Sequence, residues 1–392
     1  MTTAALIADA LRTPTGRGRS TGALADIHPV DLLAQALTAL VERTGIDPGQ
    51  VDDVLVGCVS QTGEQSATPG RMAWLAAGFP AHVPATTIDR KCGSSQQAVH
   101  FAAQGIMSGE YDVVIAGGIE SMSRVPMGSA RAGADPFGPS VTARYSPGLV
   151  SQGVAAELVA AKYGISRAAQ DEYAARSHRL AIAAAPCFER EIVQVRAPDG
   201  TIVTGDETPR PGTTMDRLSS LDPVFETPEL SARFPEVTWS VTAGNASQIS
   251  DAASLVLMVS ERKARELGLT PRARVHAMTA VGDDPVLMLT APIPATEKIL
   301  ARSSMRLDEM DHVEVNEAFA PVPLAWLQHF DADPEKLNPR GGAIALGHPL
   351  GASGTRLLTT MLHALEDNDQ RFGLQLMCEA GGMANATIIE RL

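Results

Sequence analysis

The chain reads as an α/β protein made of two similar, doubly wound halves, the first interrupted by a loop-rich insertion. Three observations predict this. Short apolar runs alternate with helical stretches near both ends. Glycine and proline clusters break that alternation between about residues 119 and 246. The element order of the first third then returns in the last third. A length of 392 residues exceeds one compact core, so two or three lobes of roughly 100 to 150 residues are expected. Hydrophobic residues make up 44% and aromatic residues only 4%. Burial therefore rests on Ala, Val, Leu and Ile, which suits close helix-on-sheet packing.

In order, Ala4 to Ala8 forms a short apolar strand. Pro29 to Val41 places Val30, Leu33, Ala34, Leu37, Leu40 and Val41 at helical spacing with proline near the start. Val54 to Val59 and Ala85 to Ile88 are strands, Gln96 to Met107 is a helix, and Val113 to Ala116 is a buried strand ending at Gly117 and Gly118. In the insertion, helices lie near Ala155 to Tyr163 and Ala168 to Ala184, and Asp199-Gly200 is the turn of a hairpin. Such a stretch displays binding groups. The last third echoes the first: Val51-Asp52-Asp53-Val54 by Met310-Asp311-His312-Val313, the strand-turn-helix around Cys92 by Gly341 to Ala364, and Val113 to Gly118 by Leu374 to Gly382. Two such halves would face a shared crevice with their matching turns. The domains expected are 1–118, completed by about 247–266, the insertion 119–246, and 267–392.

A formal charge of −13 without clustered Lys and Arg argues against nucleic acid. The N-terminal stretch holds Asp9 and is followed by Arg12, Arg17 and Arg19, the wrong order for a secretory signal. No apolar run approaches the roughly 20 residues that cross a bilayer. A cytoplasmic location away from membranes is expected. Cys58, Cys92, Cys187 and Cys378 show no C-x-x-C pair or zinc spacing, so all four are expected as free thiols and no metal is implied.

Four separate stretches carry the chemistry: Cys92 in DRKCGSSQQA, Asn316 in EVNEAFA, His348 in GGAIALGHPLGASG and Cys378 in MCEAGGMANA. Cys92 falls at the start of a helix, where free N–H groups and the dipole favour a thiolate. Taken alone it is as well explained as a small buried hydrophobe. His348, on a strand or tight loop feeding a helix at Ala352, can take a proton from Cys92 and donate to a developing oxyanion. Alone, it is equally a turn-capping histidine. Cys378 follows the strand Leu374 to Met377 and can move a proton; by itself it is a core residue. Asn316 ends a strand, where its amide either caps a helix or fixes a water or oxyanion. Together, two thiols, an imidazole and an amide suit carbon–carbon chemistry on a thioester. Cys58 and Cys187 are left inert.

Over nearly its whole length, from ADALRTPTGR to NATIIERL, the chain resembles the thiolases, the acetyl-CoA acyltransferase family, with CGSSQQA, NEAFA and GGAIALGHPLGASG as its long, specific motifs. The resemblance implies a fold of two duplicated five-stranded halves with an inserted loop domain, assembled as a homodimer or homotetramer. It implies Cys92 as the acylated nucleophile, His348 as its activator, and Cys378 as the group that protonates the departing acetyl-CoA carbanion. Asn316 holds a water in one oxyanion hole, and the N–H groups of Cys92 and Ala380 form the other. Ser247, in TAGNASQISD, would touch the pantetheine arm, while Phe319 and Gln152 line the acyl pocket. Coenzyme A and acyl-CoA enter as substrates, with no resident cofactor.

Three departures from the family pattern stand out. Ala380 replaces a glycine, Asp222 in Leu221-Asp222-Pro223 stands where relatives carry a basic residue, and Ser151-Gln152 replaces the His-Met pair of short-chain enzymes. Arg210, Arg217 or Arg233 could take over the phosphate contact. The last departure favours bulkier acyl chains, branched or steroid-derived. The expected activity is degradative cleavage of 3-ketoacyl-CoA by coenzyme A, in fatty-acid or steroid side-chain breakdown. The alternatives are condensation of two acetyl-CoA molecules and a non-catalytic CoA-ester binding protein. A decarboxylating ketoacyl synthase needs two histidines with its cysteine, and the second thiol here argues against it.

Overall fold

The computed structural model describes residues 3–392. Strand β1 (Ala5–Arg12) is wholly buried. It outruns the apolar stretch Ala4 to Ala8 because its charged residues are paired inside the protein, Asp9 with Arg43 and Arg272 and Arg12 with Glu191 and Asp206. A short strand β2 (Gly16–Arg17) precedes helix α1 (Pro29–Thr44). That helix opens on proline, is capped by His28 Nδ1 accepting from the Val30 N–H, and stops at Gly45 in the left-handed conformation. Then come β3 (Asp53–Gly57), α2 (Pro69–Ala76), β4 (Ala85–Ile88), α3 (Ser94–Ser108) and β5 (Val113–Ser121). β5 runs through Gly117 and Gly118 instead of ending there, past the boundary expected at residue 118.

After β5 the chain leaves the sheet through α4 (Gly138–Arg144), α5 (Gln152–Tyr163), α6 (Arg167–Ala183), the hairpin β6 (Val195–Arg196) and β7 (Ile202–Val203), α7 (Met215–Ser219) and α8 (Pro228–Arg233). It returns as β8 (Ser250–Ser260), followed by α9 (Glu261–Leu267), β9 (Ala273–Gly282), α10 (Pro292–Ser303), β10 (His312–Val315), α11 (Pro321–Phe330), α12 (Ala343–Leu346), α13 (Ser353–Asp367), β11 (Phe372–Glu379) and β12 (Met383–Arg391).

The main sheet runs β10-β11-β12-β9-β1-β8-β5-β3-β4. Its halves meet where β1 pairs antiparallel with β9, at Leu6 with Arg274 and Ile7 with Ala273. From that seam outward each half repeats one plan: β1 and β9, then antiparallel β8 and β12, then parallel β5 with β3 and β11 with β10. The repeat reaches single atoms. Asp52 accepts from the N–H groups of Asp112 and Val113 at the start of β5, and Asp311 accepts from those of Arg371 and Phe372 at the start of β11. The second half shows four strands, not five. The counterpart of β4 shrinks to one bridge between Val313 and Leu337. Asn338 then turns left-handed at φ 45° and spends its side chain on the Val315 N–H and C=O.

Helices α3 and α13 share the central apolar cluster, Ala98, Val99, Ala102 and Ile106 meeting Leu358, Met361, Leu362 and Leu365. Each such large aliphatic side chain contributes roughly 1.5–3 kcal/mol of burial. Leu33, Leu37, Leu40 and Trp74 cover one outer face, and Ile299 and Trp326 the other. Buried between the halves, α3 and α13 bring their N-terminal ends together. Ser95 Oγ accepts from the Thr355 N–H at 3.0 Å.

Candidate active site

Cys92 lies in the turn between β4 and α3. Lys91 takes φ 51°, a left-handed value that costs a non-glycine residue about 1–2 kcal/mol. The turn is held all the same. Asp89 accepts from the Lys91 N–H at 2.8 Å, Ser94 Oγ accepts from the Arg90 N–H at 2.9 Å, and that hydroxyl donates to the Lys91 carbonyl at 2.6 Å. The helix starts at Ser94 with Gly93 as its cap, so Cys92 precedes the helical N–H groups by a residue. This changes the expected electrostatics. Burial, then the Cys378 sulfur and the Glu379 carboxyl, push the Cys92 thiol well above its ordinary range. All three favour the Cys92 thiol, against the thiolate expected from a helix start.

His348 is buried in the loop between α12 and α13. No strand feeds this loop, contrary to the echo read at Gly341 to Ala364. Ala343–Leu346 is a single helical turn, because Glu317 accepts from the Ile344 N–H and Ser177 Oγ from the Gly342 N–H at its start. The loop crosses β5 closely enough that a Cβ on Gly118 would stand 2.0 Å from the Gly351 carbonyl oxygen. The tautomer follows from the hydrogen bonds. Ser353 Oγ donates to the Pro349 carbonyl at 2.9 Å, so it accepts from His348 Nδ1–H at 2.6 Å. Nε2 keeps its lone pair and lies 3.5 Å from Asn316 Nδ2. Burial, helped by Arg356, lowers the imidazole to about 3, so it rests neutral.

Asn316 follows β10 directly, with its N–H on the Leu376 carbonyl at 3.0 Å. Its side-chain amide lies against His348, and its Oδ1 is buried without a hydrogen-bond partner among the described residues. Cys378 is the penultimate residue of β11 and is buried. Burial and then Glu379 push its thiol up to about 12, with the Asn316 amide opposing. Residues scattered over the sequence thus gather at one place: Asn316 lies against His348 and lowers the proton affinity of Cys378, whose sulfur in turn acts on Cys92. Of the remaining cysteines, Cys58 is buried in the outer core of the first half and Cys187 is partly exposed.

Ala380 opens the turn after β11. The left-handed angles of that turn fall at Gly381 (φ 93°) and Gly382 (φ 74°), so alanine replaces the usual glycine without backbone strain. Ser247 donates its N–H to the Ala318 carbonyl at 3.0 Å, and the adjacent Ala246 bridges Phe319. Phe225 packs edge-on to Phe319 at 6.0 Å, and a Cβ on Gly153 would stand 2.2 Å from its ring. That ring links Gln152, the first residue of α5, to the Ser247–Phe319 strip. Asp222 is exposed. Among the described residues, no group of three or more His, Cys, Asp or Glu could hold a metal ion.

Sequence reasoning missed the residues that hold these loops. Gln248 donates to the Thr208, Ile344 and Ala345 carbonyls and accepts from Arg210, while its own carbonyl takes the His348 N–H at 2.9 Å. Glu120 accepts from the N–H groups of Val59, Ser60 and Gly351. Glu317 accepts from Tyr173, Ser177 and Asn338 as well as from the Ile344 N–H. An isolated acid or amide beside an apolar run was the only available signal.

Residues 5–262 match the model of the thiolase N-terminal domain and residues 269–391 that of the thiolase C-terminal domain. The chain is 49% identical to the steroid 3-ketoacyl-CoA thiolase FadA6 of Mycobacterium tuberculosis, over 100% of this chain and 95% of that protein. It is 43% identical to a 3-ketoacyl-CoA thiolase of Pseudoalteromonas translucida, over 99% and 98% of the two chains. The crystal structure of the Bacillus anthracis acetyl-CoA acetyltransferase superposes with a TM-score of 0.88 at 35% identity, covering 100% of this chain and 99% of that one. With both domains matched in order and the two-thiol group assembled between them, the chain belongs to the thiolase family of acyltransferases.

Proposed function

We propose that this enzyme is a degradative thiolase that cleaves 3-ketoacyl-CoA with coenzyme A, releasing acetyl-CoA and an acyl-CoA shortened by two carbons. The observation that carries the reading is the Asn316 amide, which lies 3.5 Å from the imidazole Nε2 of His348 and lowers the proton affinity of the buried Cys378 thiol. Because Cys92 rests as a thiol, its attack on the keto carbon passes its proton to His348 Nε2 as the S–C bond forms. The C2–C3 bond then breaks, its electron pair stays on C2, and Cys378 supplies the proton that completes acetyl-CoA. The Cys378 thiolate takes the proton of incoming coenzyme A. The coenzyme sulfur displaces Cys92 from the acyl carbon, and His348 returns its proton to Cys92. A water on Asn316 with His348, and the N–H groups of Cys92 and Ala380, would hold the successive oxyanions.

Ser247, Phe319 and Gln152 are proposed to line the pantetheine and acyl path, with Phe225 as an added wall. Gln152 in place of a methionine, and 49% identity to a steroid-acting relative, support a bulky acyl group, branched or steroid-derived. A homodimer or homotetramer in the cytoplasm completes the proposal. No helix among the described residues is long and apolar enough to cross a membrane. Rates on acetoacetyl-CoA and on longer or ring-bearing 3-ketoacyl-CoA esters test the reading. Faster cleavage of the bulky esters is expected; exclusive use of the four-carbon ester would support acetoacetyl-CoA formation instead.

A further inference from the structure

Glu379 closes β11 one position after Cys378, and none of its side chain is exposed. Neither carboxyl oxygen has a hydrogen-bond partner among the described residues. The group presses on the nucleophile turn from behind: a Cβ on Gly93 would stand 1.8 Å from Oε1 and 2.7 Å from Cδ. Glu379 lies opposite Met383 on β12, and Arg90, the cation acting on it, points its guanidinium at the Met383 sulfur, 3.9 Å away. An ionised carboxylate in such a place, without donors, costs several kcal/mol. Burial accordingly pushes this acid up to about 8, with Arg90 opposing.

The ionisable groups around it are Cys92 and Arg90 on the turn and Cys378 on its own strand. Glu120 on β5 also acts on Cys92, and Arg90 acts on His100 of α3. Glu379 raises the proton affinity of both sulfurs. We propose that Glu379 is a positioning residue of the two-thiol centre: as a neutral acid it lets either sulfur carry negative charge in turn, and as a carboxylate it holds both as thiols. Resting on the thiolase reading, this acid sets an alkaline limit on a cycle that needs a charged sulfur first at Cys92 and then at Cys378.

The test is alkylation of Cys92 by iodoacetamide, followed by mass spectrometry across pH, in wild type and Glu379→Gln. The two proteins should react alike within about twofold near pH 7, and the variant about tenfold faster near pH 9.5, where only the wild type has gained the charge. Superimposable profiles, or one constant factor at every pH, would overturn the proposal. Should Glu379→Gln not fold, Arg90→Gln keeps the carboxyl and removes the opposing cation. The infrared band of a protonated carboxyl should then titrate at higher pH than in wild type, and absence of that band in wild type near pH 7 overturns the proposal equally. Neither readout uses substrate. Failure to cleave 3-ketoacyl-CoA with the pH-dependent gap intact would reject the functional reading and leave the role of Glu379 standing.

Discussion

His348 Nδ1 and Ser353 Oγ lie 2.6 Å apart, and because the serine hydroxyl is already committed to the Pro349 carbonyl, the proton between them belongs to the imidazole. One serine therefore decides which nitrogen of His348 keeps its lone pair. Ser353→Ala removes that bond without touching substrate. The expected loss is about 10- to 100-fold in kcat with KM little changed, the size seen when a working imidazole loses its orienting partner. Steady-state kinetics on a 3-ketoacyl-CoA check it; an unchanged kcat would show that the loop alone orients the ring.

Gly93 has φ −87°, which any residue adopts, so its requirement for glycine comes from contact alone. In Gly93→Ala the new methyl would collide with the buried Glu379 carboxyl, which must shift to make room. Overpacking should cost on the order of 1–3 kcal/mol and displace Cys92. A lowered melting temperature together with slowed Cys92 alkylation is expected.

His100 is buried on α3 with Nε2 2.8 Å from Thr387 Oγ1. Burial, with Arg90, lowers it from 6.5 to about 3. The unfolded chain thus binds one more proton than the folded one between those values, so stability is full above about 6.5 and falls as pH drops toward 3. Glutamine can keep the bond to Thr387 and does not titrate. His100→Gln should therefore flatten the acid limb by about 1.4 kcal/mol per pH unit, read as denaturant midpoints at a series of pH values.

The two halves, the insertion and the residues that gather at the candidate site were legible because their signals are local. Aliphatic runs alternate with glycine turns, and a cysteine, an imidazole and an amide each stand among small residues. The Asp52 and Asp311 echo was visible for the same reason, since one clamp recurs at one place in two copies of a motif. What escaped depends on partners distant in sequence. β1 looked too short because the apolar run stops at Ala8, and the sequence does not show that Arg43, Arg272, Glu191 and Asp206 pair with Asp9 and Arg12 inside the protein. The helix-end argument for Cys92 leaves out the desolvation of the sulfur and the Cys378 and Glu379 groups, all of which favour the thiol. Ser353, Gln248 and Glu379 are ordinary letters in the sequence, made important by what packs against them.

The most direct test of the central claim is rapid-quench mass spectrometry of the protein mixed with a 3-ketoacyl-CoA in the absence of free coenzyme A. The account predicts an acyl group on Cys92, two carbons shorter than the substrate's acyl chain, together with released acetyl-CoA; added coenzyme A should clear it, and Cys92→Ser should form none. An adduct on another cysteine, or turnover by Cys92→Ser at the wild-type rate, would contradict it.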